Sequence, residues 1–278
     1  MSKKYLINLD VNNTLLDTNY RSTSPTIQSV IEQLSNEGSV FVINSDRSLE
    51  DIQAIAQLFG INGPIIGENG AFIYYPENDH VQVMLDEQTL IKLEQLKERT
   101  KAFIVEKFPE AHFFIADTTD INKHSVGQEL PADKELLFIM NIFRKFSISI
   151  HVRKNCHDEL SKEIEQAVRF CELAKKELLC TGSDFEARCD VDYANLLIHP
   201  KQSDKANSFA IMALKYPNFK KVFIADDLDD KPAMSEIDYF FAVGNASAEA
   251  KAAAHYVATE TITKGVEEIL LKMNELVK

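Results

Sequence analysis

Asp10 stands at the end of a buried apolar run, Tyr5 to Leu9, and is followed by Val11, Asn12, Asn13 and Thr14. Open parallel sheets bind their ligands just outside the carboxyl ends of the strands, so a carboxylate there can serve as nucleophile or metal ligand. A strand followed by an Asx turn, with Asp10 and Asn12 bonding their own backbone, accounts for the same residues equally well. Other strand ends break the tie. Ser45 follows a second apolar run, Ser39 to Asn44, and the acidic residues Asp226, Asp227, Asp229 and Asp230 follow a later one, Lys221 to Ala225. Lys205 opens a helix between them. Asp10 and Asp226 suit Mg²⁺, a hard cation that takes one or two carboxylates and keeps positions for water and phosphate oxygens. Ser45 and Lys205 would bind phosphoryl oxygens and neutralise the charge that otherwise keeps a carboxylate away from a phosphate anion.

These residues need a scaffold that delivers separate strand ends to one edge. Ser24 and Pro25 read as N-cap and first helical position, and Ile27, Val30, Ile31 and Leu34 make one apolar face that closes at Gly38. Ser48 and Asp51 form a capping pair for a helix running to Gly60. Pro64 to Ile66 is a short third strand, and Asn69 and Gly70 precede a hairpin of Ala71–Tyr75 with Val81–Met84. From about Leu85 the pattern changes to long amphipathic helices, about Glu87–Phe108 and His157–Leu179, with strands near His112–Ile115, Leu137–Ile142 and Phe146–Val152 between them. Such an α+β layer differs from the parallel pattern before it. The parallel pattern resumes with Ala194–His199, a helix Ser203–Lys215, and strands Lys221–Ala225 and Tyr239–Val243. The expectation is a doubly wound α/β core of residues 1–84 and 191–278, interrupted by an inserted α+β domain of residues 85–190.

A chain of 278 residues supports two domains, and its 45% hydrophobic and 26% charged residues are ordinary for a globular protein. No stretch reaches the length of uncharged apolar sequence that a membrane helix needs, and the N-terminus reads as a strand rather than a signal peptide, so a cytoplasmic protein without a membrane partner is expected. The formal net charge of −13 argues against a nucleic-acid partner. It leaves room for an anionic small substrate, because a cation in a local pocket overrides the global field. Cys156, Cys171, Cys180 and Cys189 are widely spaced and contain no CxxC pair, so they read as free thiols.

Together these residues resemble the haloacid dehalogenase superfamily of phosphotransferases over nearly the whole chain. The family's first motif, DxDGT, is matched by Asp10, Val11, Asn12, Asn13 and Thr14. The second is matched by Ser45 ahead of Asp46 and Arg47, the third by Lys205, and the fourth by the run from Ala225 to Asp230. The insertion between the second and third motifs, with the Asn69–Gly70–Ala71 and Gly244–Asn245–Ala246 loops, is similar to the Cof-type subgroup of sugar phosphatases. The resemblance implies a phosphatase in which Asp10 forms an aspartyl-phosphate that water then hydrolyses. It further implies Mg²⁺ held by Asp10, the Asn12 main-chain carbonyl and Asp226, with Asp230 in support.

The family's second Asp protonates the leaving group and activates water, and here that position is Asn12. An amide does neither, and general acid–base catalysis is worth roughly 10²–10⁴-fold. Asn13, Asp46 and Ala225 each replace a family glycine. Asp46 reads either as a substitute acid or as a helix-start carboxylate. In the insertion, Arg144 and Lys145 precede an alternating strand on which Ser147, Ser149, His151 and Arg153 share a face. This resembles the substrate-binding strand of trehalose-phosphate phosphatase caps, so Arg144, Lys145, His151 and Arg153 are candidate substrate contacts; the polar face of a half-exposed sheet is the other reading. His124 and Ser125 are weaker candidates. The expected activity is hydrolysis of a small phosphorylated metabolite, a sugar phosphate; the alternative is an impaired phospho-ligand binder or slow phosphotransferase.

Overall fold

The computed structural model describes residues 4–116, 130, 132–157, 159–179, 182–228 and 237–277. It divides into two compact units, one of Met1–Met84 with Asp204–Lys278 and the other of Leu85–Ser203.

The first unit is built on β1 (Tyr5–Leu9), whose five residues are all buried. Strands covered on both faces read as continuous apolar runs, which is why β1 lacks alternation. Helix α1 (Ile27–Asn36) and strand β2 (Val40–Asn44) follow, then helix α2 (Leu49–Phe59), strand β3 (Ile65–Gly67) and the hairpin of β4 (Phe72–Tyr75) and β5 (His80–Val83). The α2 cap is the expected one: the Ser48 side chain accepts from the Asp51 amide, and Gly60 closes the helix at φ 68°. Helix α1 starts later than Ser24 and Pro25 suggest. The Ser24 hydroxyl donates to Glu267 at 2.7 Å, and Thr26 becomes the N-cap without a side-chain cap bond. The Ser24 oxygen still accepts from the Thr26 amide at 3.2 Å, so the hydroxyl serves a local turn and a tertiary partner together.

The second unit begins with helix α3 (Glu87–Lys107) and contains strands β6 (His112–Ala116), β7 (Leu136–Asn141), β8 (Ile148–Cys156) and β9 (Glu159–Lys162), helix α4 (Ile164–Leu173), and strands β10 (Phe185–Asp190) and β11 (Asn195–Pro200). Its sheet runs β10-β11-β8-β7-β6, with β9 paired to β8. Ile148, Ile150 and Val152 of β8 join Leu93, Phe103 and Ile104 of α3 and Phe170 of α4 in one apolar cluster. Phe138 sits at its centre, with ring centroids 4.8 Å from Phe108 and 5.0 Å from Phe170. Offset and edge contacts of this kind add about 0.5–1.5 kcal/mol beyond area burial.

Three expectations for this region are corrected. Residues 191–203 belong to the second unit, not the parallel core. Strand β11 runs antiparallel to β10 and β8, with Leu196 opposite Ile150 and Ile198 opposite Ile148. Its nearly continuous apolar run suits either sheet, so only the partner strand decides. The helix expected from His157 starts at Ile164, because Glu159–Lys162 turns back onto β8 as a strand. Strand β10 was not anticipated.

Back in the first unit, helix α5 (Lys205–Ala213), strands β12 (Lys220–Ala225) and β13 (Tyr239–Ala242), helix α6 (Ala248–Ala253), strand β14 (Tyr256–Val257) and helices α7 (Ile262–Leu271) and α8 (Met273–Leu276) complete the chain. The sheet order is β14-β13-β12-β1-β2-β3-β4-β5. All pairs from β14 to β3 are parallel, and the β4–β5 hairpin adds an antiparallel edge. The chain grows from β1 to one side and later returns on the other, so the topological switch point lies between β1 and β12. No helix among the described residues is long and apolar enough to cross a membrane.

Candidate active site

The register carries the site. Leu9 pairs with Ile224 on one side and Ile43 on the other, so Asp10, Asn44 with Ser45, and Ala225 with Asp226 leave the sheet at one edge. Asp10 and Asp226 flank the switch point.

Asp10 is buried, and Lys205 Nζ lies 3.5 Å from its Oδ1, with the two side chains only 4% and 6% exposed. Burying an ion pair costs much of its Coulombic gain, so the pair is weak evidence for a stabilising role. Several contacts fix the start of α5. Asp204 caps it by accepting from the Ala206 and Asn207 amides at 2.8 and 3.3 Å. Asn44 Nδ2 donates to the Lys205 carbonyl at 3.4 Å, and Ser208 Oγ donates to the Gly70 carbonyl at 2.7 Å. Gly70 is required here: its φ is +86°, and a Cβ would stand 2.3 Å from the Asp204 backbone. Ser45 is buried; its amide donates to Ile66, its carbonyl accepts from Asn69, and its hydroxyl accepts from the Arg47 amide at 3.4 Å.

On the other side Thr14 Oγ1 donates to Asp226 Oδ1 at 3.2 Å, and the Asp226 carbonyl accepts from Ser247 at 2.8 Å. Asn245 ties the two loops, donating to the Asn13 carbonyl and accepting from the Ile262 amide, both at 2.8 Å. Asn13 has φ 56°. Asn is among the few residues that adopt this left-handed conformation readily, which explains how it occupies a glycine position. Asp230 lies outside the described residues, as do His124 and Ser125. Among the described residues no group of three or more His, Cys, Asp or Glu gathers as a metal centre. Asp10 and Asp226 are hard oxygen donors at adjacent strand ends, a set that fits Mg²⁺ retaining several waters.

Asn12 is not engaged in an Asx turn. Arg47 Nε and Nη2 donate to its Oδ1 at 3.0 and 2.7 Å, and its Nδ2 donates to Asp46 Oδ1 at 3.4 Å. The Asx turn forms further along, where Asp17 accepts from the Asn19 and Arg21 amides. Arg47 in turn pairs with Asp51 at 2.8 Å and lies over the Tyr20 ring, 4.8 Å from its centroid. Burial acts against the guanidinium charge, but Asp51 first, then Tyr20 and Asp46, more than offset it and hold its pKa above the ordinary value. The reading of the sequence missed Arg47. Its signal was an Arg with an Asp four residues on, which pair across one helical turn.

In the second unit, Ser149 Oγ lies 3.0 Å from His151 Nε2 and donates to Asn195 Oδ1 at 3.0 Å, making a polar row on β8 and β11. Arg144 is buried near Ser147, with Nη1 donating to its hydroxyl at 3.4 Å. Lys145 is exposed. Arg153 is fully buried, and its Nη1 donates to the Val152 and Tyr193 carbonyls at 3.0 Å. Both of these contacts are to main-chain carbonyls.

Comparison with known proteins agrees with this geometry. Residues 7–270 match the model of the haloacid dehalogenase-like hydrolases. A phosphoglycolate phosphatase from Staphylothermus marinus is 23% identical over 95% of each chain. A 5-amino-6-(5-phospho-D-ribitylamino)uracil phosphatase from Bacillus subtilis is 30% identical over 90 residues, which cover 31% of this chain and 33% of that relative. The crystal structure of a haloacid dehalogenase-like hydrolase from Bacteroides thetaiotaomicron superposes with a TM-score of 0.65 at 16% identity, covering 98% of this chain and 100% of the other. With the strand order, the switch-point carboxylates and a matched model spanning nearly all its residues, the chain belongs to the haloacid dehalogenase-like hydrolases.

Proposed function

We propose that this hydrolase is a Mg²⁺-dependent, cytoplasmic phosphatase of a small phosphorylated metabolite, a sugar phosphate, working through an aspartyl-phosphate on Asp10. The observation that carries the reading is the buried pair of Asp10 and Lys205 at the switch point, with Ser45 and Asp226 at the neighbouring strand ends. Both curated relatives are named as phosphatases of small phosphorylated molecules, which supports the substrate class.

Asp10 attacks phosphorus, and the leaving oxygen departs with the electron pair of its bond to phosphorus and takes a proton from water. Ser45 and Lys205 bind the phosphoryl oxygens, and the ammonium offsets the repulsion between carboxylate and phosphate. Water then attacks phosphorus and regenerates the Asp10 carboxylate. Asp10, the Asn12 carbonyl and Asp226 would hold Mg²⁺, together with Asp230. When bound it supplies further positive charge for the phosphoryl oxygens. The second unit is assigned substrate selection, with Arg144, Lys145 and the Ser149, His151 and Asn195 row as hydrogen-bonding groups for sugar hydroxyls.

A second reading, a slow hydrolase or phospho-ligand binder, draws on Asn12, an amide anchored by Arg47. A panel of sugar phosphates assayed with Mg²⁺ separates the two. Multiple turnover that falls about 10³-fold or more in Asp10→Asn is the expected result. Unchanged activity in that variant would remove Asp10 from the chemistry, and stoichiometric binding without turnover would favour the second reading.

A further inference from the structure

The second unit holds a cleft of about 550 Å³ where the end of α3, the start of β7, the end of β8 and the start of α4 meet. Small-molecule sites run from about 300 to 1,000 Å³. Cations converge on this cleft although the chain carries a formal net charge of −13. Leu136 of β7 is paired with Lys154 of β8, and the Lys134 amide donates to the Asn155 carbonyl at 2.7 Å, so the two lysines occupy neighbouring positions on one wall. Lys134 has φ 69°, a left-handed conformation that a lysine seldom adopts. Its bond to Asn155, with that from the Glu135 amide to the Ala132 carbonyl at 3.1 Å, fixes the turn that presents it. Arg169 comes from α4, with its guanidinium over the Phe108 ring, 5.1 Å from the centroid. Carboxylates line the cleft as well. Glu135 lies 2.8 Å from His112 Nε2 and accepts from the Ala132 amide at 3.1 Å, Glu163 stands 4.0 Å from Lys154 Nζ, and Glu110 is exposed. Lys107, also at the cleft, pairs with Glu177 at 2.7 Å.

We propose that this cleft binds a small polyanion, a molecule with two or more carboxylate or phosphate groups, independently of the chemistry at Asp10. Neighbouring ammonium groups repel each other, and an anion bound to both relieves that repulsion. One anionic group is therefore assigned to Lys134 and Lys154. A second is assigned to Arg169, whose planar fork matches carboxylate and phosphate oxygens and whose stacking on Phe108 holds it flat. Ala111 and Leu136 supply apolar surface for the body of the ligand. Glu163 competes with the ligand for Lys154, and at 4.0 Å that ion pair is a loose one.

The test titrates citrate and, separately, pyrophosphate into the full chain by calorimetry in Mg²⁺-free buffer. At least one of them should bind at a single site, more weakly as NaCl is raised, and the tighter of the two names the acid group preferred. Affinity should fall about tenfold or more in the double variant Lys134→Gln with Lys154→Gln, and likewise in Arg169→Gln, because charge-assisted bonds are lost. Lys134 and Arg169 are exposed, so their substitution leaves the fold intact, which thermal melts check. Glu163→Gln should act in the opposite direction and tighten binding about two- to fivefold, because it removes the competing carboxylate. Lys205→Met should change the affinity by less than about twofold, which separates the cleft from the phosphoryl groups expected at Asp10. No binding of either probe at about 10 mM overturns the proposal. So does an affinity that the lysine and arginine substitutions leave unmoved, weaker binding in Glu163→Gln, or binding lost in Lys205→Met. None of these readouts uses turnover, so a failure of the aspartyl-phosphate reading leaves them unchanged.

Discussion

Each unit buries a long cation, and the two are used differently. Lys205 faces the Asp10 carboxylate at 3.5 Å, with both side chains removed from solvent. Arg153 faces the main-chain carbonyls of Val152 and Tyr193 at 3.0 Å, on a sheet whose other face is apolar. A carbonyl is a fixed dipole that the strand supplies wherever it ends, so the arginine ties backbone together. A buried carboxylate carries a full charge whose desolvation the ion pair recovers only in part. On the proposed function, the residue that faces such a charge belongs to the chemistry and the one that faces carbonyls to the architecture.

Substitution separates the two roles. On the proposed function, Lys205→Met should lower kcat/KM toward a sugar phosphate by about 10³-fold, the cost of removing a donor to phosphoryl oxygens, with far-ultraviolet circular dichroism unchanged. A loss below tenfold would make Lys205 architectural like Arg153. Arg153→Met should instead lower stability by about 2–4 kcal/mol in urea denaturation, because carbonyls lose a charged donor inside the sheet, while KM for the folded enzyme stays within about twofold. A large rise in KM with native stability would return Arg153 to the substrate.

A third charge gives a smaller effect and a pH signature. Glu268 accepts from Lys272, Tyr256, Thr259 and the Glu260 amide. Burial pushes its pKa up, but these donors, Lys272 and Tyr256 foremost, hold it well below the usual carboxylate range. A depressed folded pKa contributes stability that is present above the ordinary Glu value of about 4.3 and is lost as the pH falls below it. Glu268→Gln should therefore cost about 1–3 kcal/mol at neutral pH, with the gap to wild type narrowing in thermal melts taken at progressively lower pH. A gap independent of pH would make Glu268 a neutral packing residue.

The placing of the candidate residues at strand and helix ends was legible because its signals are local. Asp10, Ser45 and Asp226 each follow an apolar run, and Lys205 opens a helix, so position relative to an element predicts the edge to which each is delivered. Ser48 and Asp51 announced their cap for the same reason. What stayed hidden depends on partners far along the chain. Ser24 reads as the cap of α1, yet the helix starts at Ile27 and Ser24 also reaches Glu267, and β11 reads as a core strand until β8 and β10 pair with it. The Arg47 fork on Asn12 joins the ends of two strands, and no spacing rule connects those positions.

Residue types and their spacing by themselves determined the parallel core, the inserted region and the four candidate positions at strand and helix ends. Tertiary structure alone decided where the insertion closes, which buried cation meets a carboxylate, and that the Asn12 amide turns its nitrogen to Asp46. The physical reason is one of range. Burial patterns and caps act within a turn or a strand, whereas register, ion pairing and amide orientation are settled only when distant segments exclude water together.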